Sequence, residues 1–115
     1  MRFLCVYKPV KPEGNGPSQE EIEKMGTFIQ EAIQAGVLQA TEGCLPSALG
    51  ARVRQSRGEY IVTDGPFTET KEIIGGMAIL QTKSKDEAIE WTKRFLRIAG
   101  DGETEIRQLY EAPAH

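Results

Sequence analysis

The chain has 115 residues and a mass of 12.7 kDa, the size of one domain that buries roughly 65% of its unfolded surface on folding. Hydrophobic residues at 39% and charged residues at 27% describe a folded globular chain rather than a disordered or fibrous one. A formal net charge of −3 and a pI near 5.2 argue against nonspecific binding to nucleic acid or an anionic membrane, because both repel a negative protein.

The spacing predicts a first strand over residues 2–8, with Phe3, Cys5 and Tyr7 on one face and Leu4 and Val6 on the other. Both faces are apolar, as in a strand covered on two sides. This apolar start is too short for a signal peptide, and no run approaches the roughly 20 apolar residues of a membrane-spanning helix. Three prolines and two glycines in residues 9–17 make a loop. Ser18 and Glu21 form a capping box, and Ile22, Met25, Ile29, Ala32 and Ile33 then recur at helical spacing until Gly36 ends the helix. Val37–Thr41 reads as a second strand. Arg52–Gln55 and Tyr60–Thr63 flank Ser56-Arg57-Gly58-Glu59, a hairpin in which Gly58 supplies a positive φ. Gly76–Thr82 is a buried strand. Ser84 and Glu87 repeat the capping box, and Ala88, Trp91, Phe95, Ile98 and Ala99 form the stripe of a second helix ending at Gly100. Thr104–Tyr110 is the last strand.

The order is therefore βαββαβ with a hairpin inserted between the second and third sheet strands, an α+β, ferredoxin-like arrangement. Both helices then pack on one face of an antiparallel sheet. The other face needs cover, and a second copy of the chain is the expected source, making a homodimer.

Cys5 and Cys44 lack metal-ligand spacing and have a single histidine for company, so they read as reduced thiols of a cytoplasmic protein. The scattered glycines contain no phosphate loop or dinucleotide fingerprint. Neither a metal nor a tightly bound cofactor is expected. Trp91 and Phe95 read as core. Cys44 is not a nucleophile, having no histidine to activate it.

The run Asp64-Gly65-Pro66-Phe67-Thr68-Glu69-Thr70-Lys71-Glu72 concentrates turn chemistry. Gly65 precedes a proline and must be extended, Pro66 fixes its own φ, and Asp64 can accept bonds from nearby amides. Phe67 is apolar in polar surroundings and is expected to be largely buried. The plain reading is a rigid turn; the functional one is an Asp64 carboxylate at the rim of a cleft. Arg52 and Arg54 share a strand face, and with Arg57 and Lys71 they could hold an anion. The plain alternative is ion pairing with Glu59, Glu69 and Glu72.

That nine-residue run, the Gly75-Gly76 that follows it, and Glu42-Gly43, Leu45-Pro46-Ser47, Gly50–Arg54, Glu87–Trp91 and Glu105-Ile106-Arg107 together resemble the DGPF group of YCII-related proteins over nearly the whole chain. The resemblance implies a ferredoxin-like protomer of a dimeric α/β barrel in the bacterial cytoplasm. Its activity is unestablished, and some relatives are fused to a sigma factor. Many members of the broader family pair a histidine with an aspartate. Here the sole histidine is the terminal His115, so Asp64 is the one catalytic candidate. The functional expectation is a small-molecule binder, taking an anionic or carbonyl-containing molecule near Asp64 with Arg52, Arg54 or Lys71 supplying positive charge. Whether it also catalyses a reaction is left open. The alternatives are an accessory of a sigma factor, acting by protein contact rather than on DNA, and a structural dimer without a site.

Overall fold

The computed structural model describes residues 1–14, 16–67 and 73–111. In chain order the elements are β1 (Arg2–Pro9), α1 (Gln19–Gln34), β2 (Leu38–Gly43), a 3-10 turn (Ser47–Leu49), β3 (Ala51–Ser56), β4 (Glu59–Asp64), β5 (Gly76–Gln81), α2 (Lys85–Ala99) and β6 (Gly102–Gln108). β2, β5, β1 and β6 lie side by side in that order as an antiparallel sheet, while β3 and β4 pair only with each other. This is the ferredoxin-like topology expected, with the hairpin inserted between β2 and β5.

Local chemistry sets the element ends. The Ser18 hydroxyl oxygen accepts the Glu21 amide at 3.2 Å and the Ser84 oxygen accepts the Glu87 amide at 3.1 Å, each satisfying one of the amides a helix start leaves unpaired. The Glu87 carboxylate accepts from the Lys83 amide, one residue beyond the N-cap amide of the reciprocal capping bond. Gly36 and Gly100 leave the helices at φ of 75° and 98°, the left-handed region that favours glycine. In the hairpin turn Arg57 joins Gly58 at positive φ. Both central residues are thus left-handed, as the two-residue turn that matches strand twist requires.

β1 pairs Cys5 with Ala78 on one side and Ile106 on the other, and Phe3 faces Leu80. These side chains form the helix-side face. Phe3, Cys5, Val37, Leu80 and Ala88 are buried together, with Trp91 and Leu38 packed against them. Alternation sends Leu4, Val6, Met77 and Ile79 to the opposite face, where no described helix lies. No described helix is long and apolar enough to cross a membrane.

Candidate functional site

Between the helices and the sheet lies a cavity of ≈ 320 Å³. Its floor is Cys5, Ala78 and Leu80, and its walls are Phe28 and Met25 from α1 and Trp91 and Phe95 from α2. Aromatic contacts hold the walls apart, one between the two helices and one from α2 to β1. Phe28 and Trp91 have ring centroids 5.9 Å apart, and Phe95 meets Tyr7 edge to face at 5.1 Å. Small residues, Ala32, Ala78 and the Gly75-Gly76 pair, leave the volume unfilled.

The one charged residue in the described lining is the acid Glu42, and the other polar groups are uncharged. Thr41 donates to the Met77 carbonyl and Thr92 to that of Ala88. Among the described residues, the one buried side-chain oxygen without a hydrogen-bond partner is Thr104 Oγ1, beside Tyr7 in the sheet register. Leaving such a hydroxyl unpaired costs about 1–3 kcal/mol. Burial pushes the Cys5 thiol pKa up, more than its bond to Thr92 lowers it, so this sulfur is held protonated and is a poor nucleophile.

The Tyr7 phenol pKa is raised too, first by burial and then by the negative charges of Glu21 and Asp101. Its hydroxyl donates toward the carbonyls ending α2, at 3.2 Å from Gly100 and 3.3 Å from Asp101. Because the folded state resists ionising this phenol, the stability linked to it is complete below the unfolded pKa near 10 and is lost as pH rises through the folded value. We expect alkaline titration of stability, followed by chemical denaturation, to be shallower in Tyr7→Phe than in wild type. Parallel curves above pH 10 would show that Tyr7 ionises equally in both states.

The residues singled out in the sequence lie on and beneath the hairpin. Asp64 is exposed at the end of β4, opposite Ala51. Arg52 and Arg54 pair with Thr63 and Ile61, so alternation directs them to the face of the hairpin opposite Asp64. Lys71, with Glu69 and Glu72, lies outside the described residues, as does His115. The described lining of the cavity contains neither Asp64 nor either arginine. Phe67 is half-buried rather than largely buried, because its ring is covered by the Arg52 guanidinium at 4.1 Å instead of entering a pocket. The Gly65–Pro66 peptide is cis.

This turn is a clasp. The Ser47 hydroxyl accepts the Phe67 amide at 3.0 Å and donates to the Glu13 carboxylate at 2.7 Å, and the Ser47 amide bonds the same carboxylate at 2.8 Å. The base of the hairpin is so tied to the 3-10 turn and to the loop before α1. Sequence reasoning placed Trp91 and Phe95 in the core and missed that they wall a cavity. A helical stripe looks the same in either case.

A ferredoxin-like protomer with an apolar, polar-tipped cavity under its helices is the class that fold and site define. A family model for the YCII-related domain matches residues 1–112, and the chain belongs to that family. It is 33% identical over 97 residues to an uncharacterised protein of Rhizobium meliloti, covering 80% of this chain and 78% of that one. Its fold is similar to that of 5-chloro-2-hydroxyhydroquinone dehydrochlorinase from Burkholderia phenoliruptrix, solved in complex with 2,5-dihydroxybenzoquinone. That likeness has a TM-score of 0.53 at 18% identity and covers 97% of this chain and 96% of that one.

Proposed function

We propose that the protein binds a small aromatic molecule bearing carbonyl or hydroxyl oxygens in the cavity beneath its helices. The observation that carries this is the cavity itself: ≈ 320 Å³, at the low end of the roughly 300–1,000 Å³ typical of ligand sites. Its aromatic walls offer a ring stacking and edge contacts, and a ligand oxygen reaching Thr104 would supply the partner its hydroxyl lacks. The fold neighbour's quinone ligand is of the same chemical kind. The described lining holds one acid, Glu42, and no cation, which favours neutral oxygens over a full anion, since an unpaired buried charge is expensive. The proposal concerns binding, with the Cys5 thiol and the Tyr7 phenol both kept protonated.

Trp91 is the chain's single tryptophan and stands in the wall, so its fluorescence reports occupancy directly. Hydroquinone and 4-hydroxybenzaldehyde should quench it saturably, and Ala78→Phe, which fills the cavity, should abolish the effect. Asp64→Ala should leave the Kd within twofold. A tenfold weakening in Asp64→Ala would return the site to the Asp64 rim, with Arg52, Arg54 and Lys71 as its cations.

We also propose that the working unit is a homodimer in the cytoplasm. Both cysteines are free thiols, which suits a reducing compartment. The exposed surface is 8441 Å², against about 6,200 Å² for a compact monomer of this mass. The Cα radius of gyration is 16.1 Å, against about 13 Å for a compact domain of this length. The excess is of the size that stable interfaces bury. The free face of the sheet, with Leu4, Val6 and Ile79, and the hairpin, where Val53 and Val62 are 66% and 64% exposed, are where it lies. Val6→Asp should convert a dimer to monomers and make thermal midpoints independent of protein concentration. A wild type that is monomeric at 50 μM by sedimentation would assign these surfaces to a different protein, the sigma-factor reading included.

A further inference from the structure

A second cavity of ≈ 690 Å³ adjoins the first. Tyr7, Met25, Ile29, Gly43, Gly75 and Phe95 border both, so they form a neck between an inner and an outer chamber. The outer walls are mostly apolar: Pro9, Pro12 and Pro46 from loops, Ile22 from α1, and Ile73 and Ile74 ahead of β5. The one cation in the described lining, Lys11, stands 3.6 Å from Glu21.

Three glycines in these walls are explained neither by backbone conformation nor by close contact: Gly16 in the loop before α1, and Gly26 and Gly43, which lie inside regular elements. Gly26 sits inside α1, where glycine costs about 1 kcal/mol relative to alanine. Its φ is not positive, and an added Cβ would meet nothing within 4 Å. Gly43 ends β2 and pairs with Gly76, on the helix side of the sheet. An added Cβ there would meet only the Gly75 carbonyl oxygen, at 4.0 Å. The structural consequence of both is open space, at the outer wall and at the neck. Gly75 differs: a Cβ there would crowd Tyr7 and Pro9 at 3.1 Å.

From this we infer that the ligand spans both chambers. Its oxygen-bearing ring lies in the inner one, and an extended apolar substituent passes between Gly43 and Met25 into the outer one, so the substrate class is an alkyl-substituted aromatic. This rests on the binding reading above and adds the tail.

The probes are phenol, 4-ethylphenol, 4-pentylphenol and 4-octylphenol, measured by calorimetry below their micelle concentrations. In wild type the affinity should rise along the series, approaching the roughly fourfold per methylene of full burial. In Gly26→Leu phenol should bind within twofold of wild type, while the gain from the chain disappears; in Gly43→Leu, at the neck itself, the gain from the chain should disappear as well. Gly26→Leu improves helix propensity, so it keeps the test valid if Gly43→Leu does not fold. Affinities flat with chain length in wild type would overturn the two-chamber inference and leave the inner site standing. Chain-length gains undiminished in both variants would overturn it as well. Failure of every probe, phenol included, to bind wild type would overturn the binding reading together with it.

Discussion

Phe3→Ala is expected to destabilise the fold by about 3–5 kcal/mol, the range for emptying a buried aromatic site. Phe3 is 2% exposed and is the largest fully buried side chain among the described residues. It sits on the central strand, opposite Leu80 on one side and Gln108 on the other, in a core whose other buried members include Val37 and Ala88. Domains of this size are stable by only about 5–15 kcal/mol, so much of the margin would go. Urea denaturation followed by circular dichroism measures it. A loss below 1 kcal/mol would mean that the core collapses onto the vacated space, with Trp91 and Leu38 moving inward at the expense of the cavity.

Gly65→Ala is the second large effect, and its cause is steric. An added Cβ would fall 1.7 Å from the Ser47 carbonyl oxygen and 2.5 Å from its carbonyl carbon. Both are backbone atoms, pinned by the bonds from Ser47 to Glu13 and from the Gly65 amide to the Gly50 carbonyl at 3.0 Å. The hairpin base must therefore separate from the 3-10 turn. We expect a cost of about 3 kcal/mol, the upper part of the range for overpacking, together with protease cleavage in residues 51–64. Gly26→Ala serves as the opposite control, since it relieves a helix-interior glycine in open space and should stabilise by about 1 kcal/mol. Equal midpoints for Gly65→Ala and wild type would show that the clasp opens freely.

Taken together, the clasp and the cavity divide the DGPF run from the proposed binding site. Asp64 draws attention in the sequence because it opens a dense turn. In the structure it is exposed on one face of a hairpin whose other face carries Arg52 and Arg54. Gly65 and Phe67 are accounted for by contacts, the first against Ser47 and the second beneath Arg52. Glu13 has no signal in the sequence, where it is one acid in a proline-rich loop. Its role appears only once the chain brings residue 47 beside residue 13.

What the sequence by itself determined is what local periodicity and local chemistry carry. The two capping serines, the terminal glycines at 36 and 100, the alternation in residues 2–8 and the hairpin turn at 57–58 each depend on neighbours within a few residues. Their order is enough for the ferredoxin-like topology, since short connections and one helix per crossover leave few other solutions. Tertiary structure alone decided the cavity, because its wall joins residue 5 to residue 104 and its volume is what remains after α1 and α2 pack against each other over the sheet. It also decided which glycines are needed for contact and which for space. The sequence marks Gly65 as a turn residue before a proline and Gly26 as a glycine inside a helix, but not what surrounds either. One has a carbonyl where its side chain would be and the other has nothing within 4 Å, and that difference is set by chain segments that meet only when the protein folds.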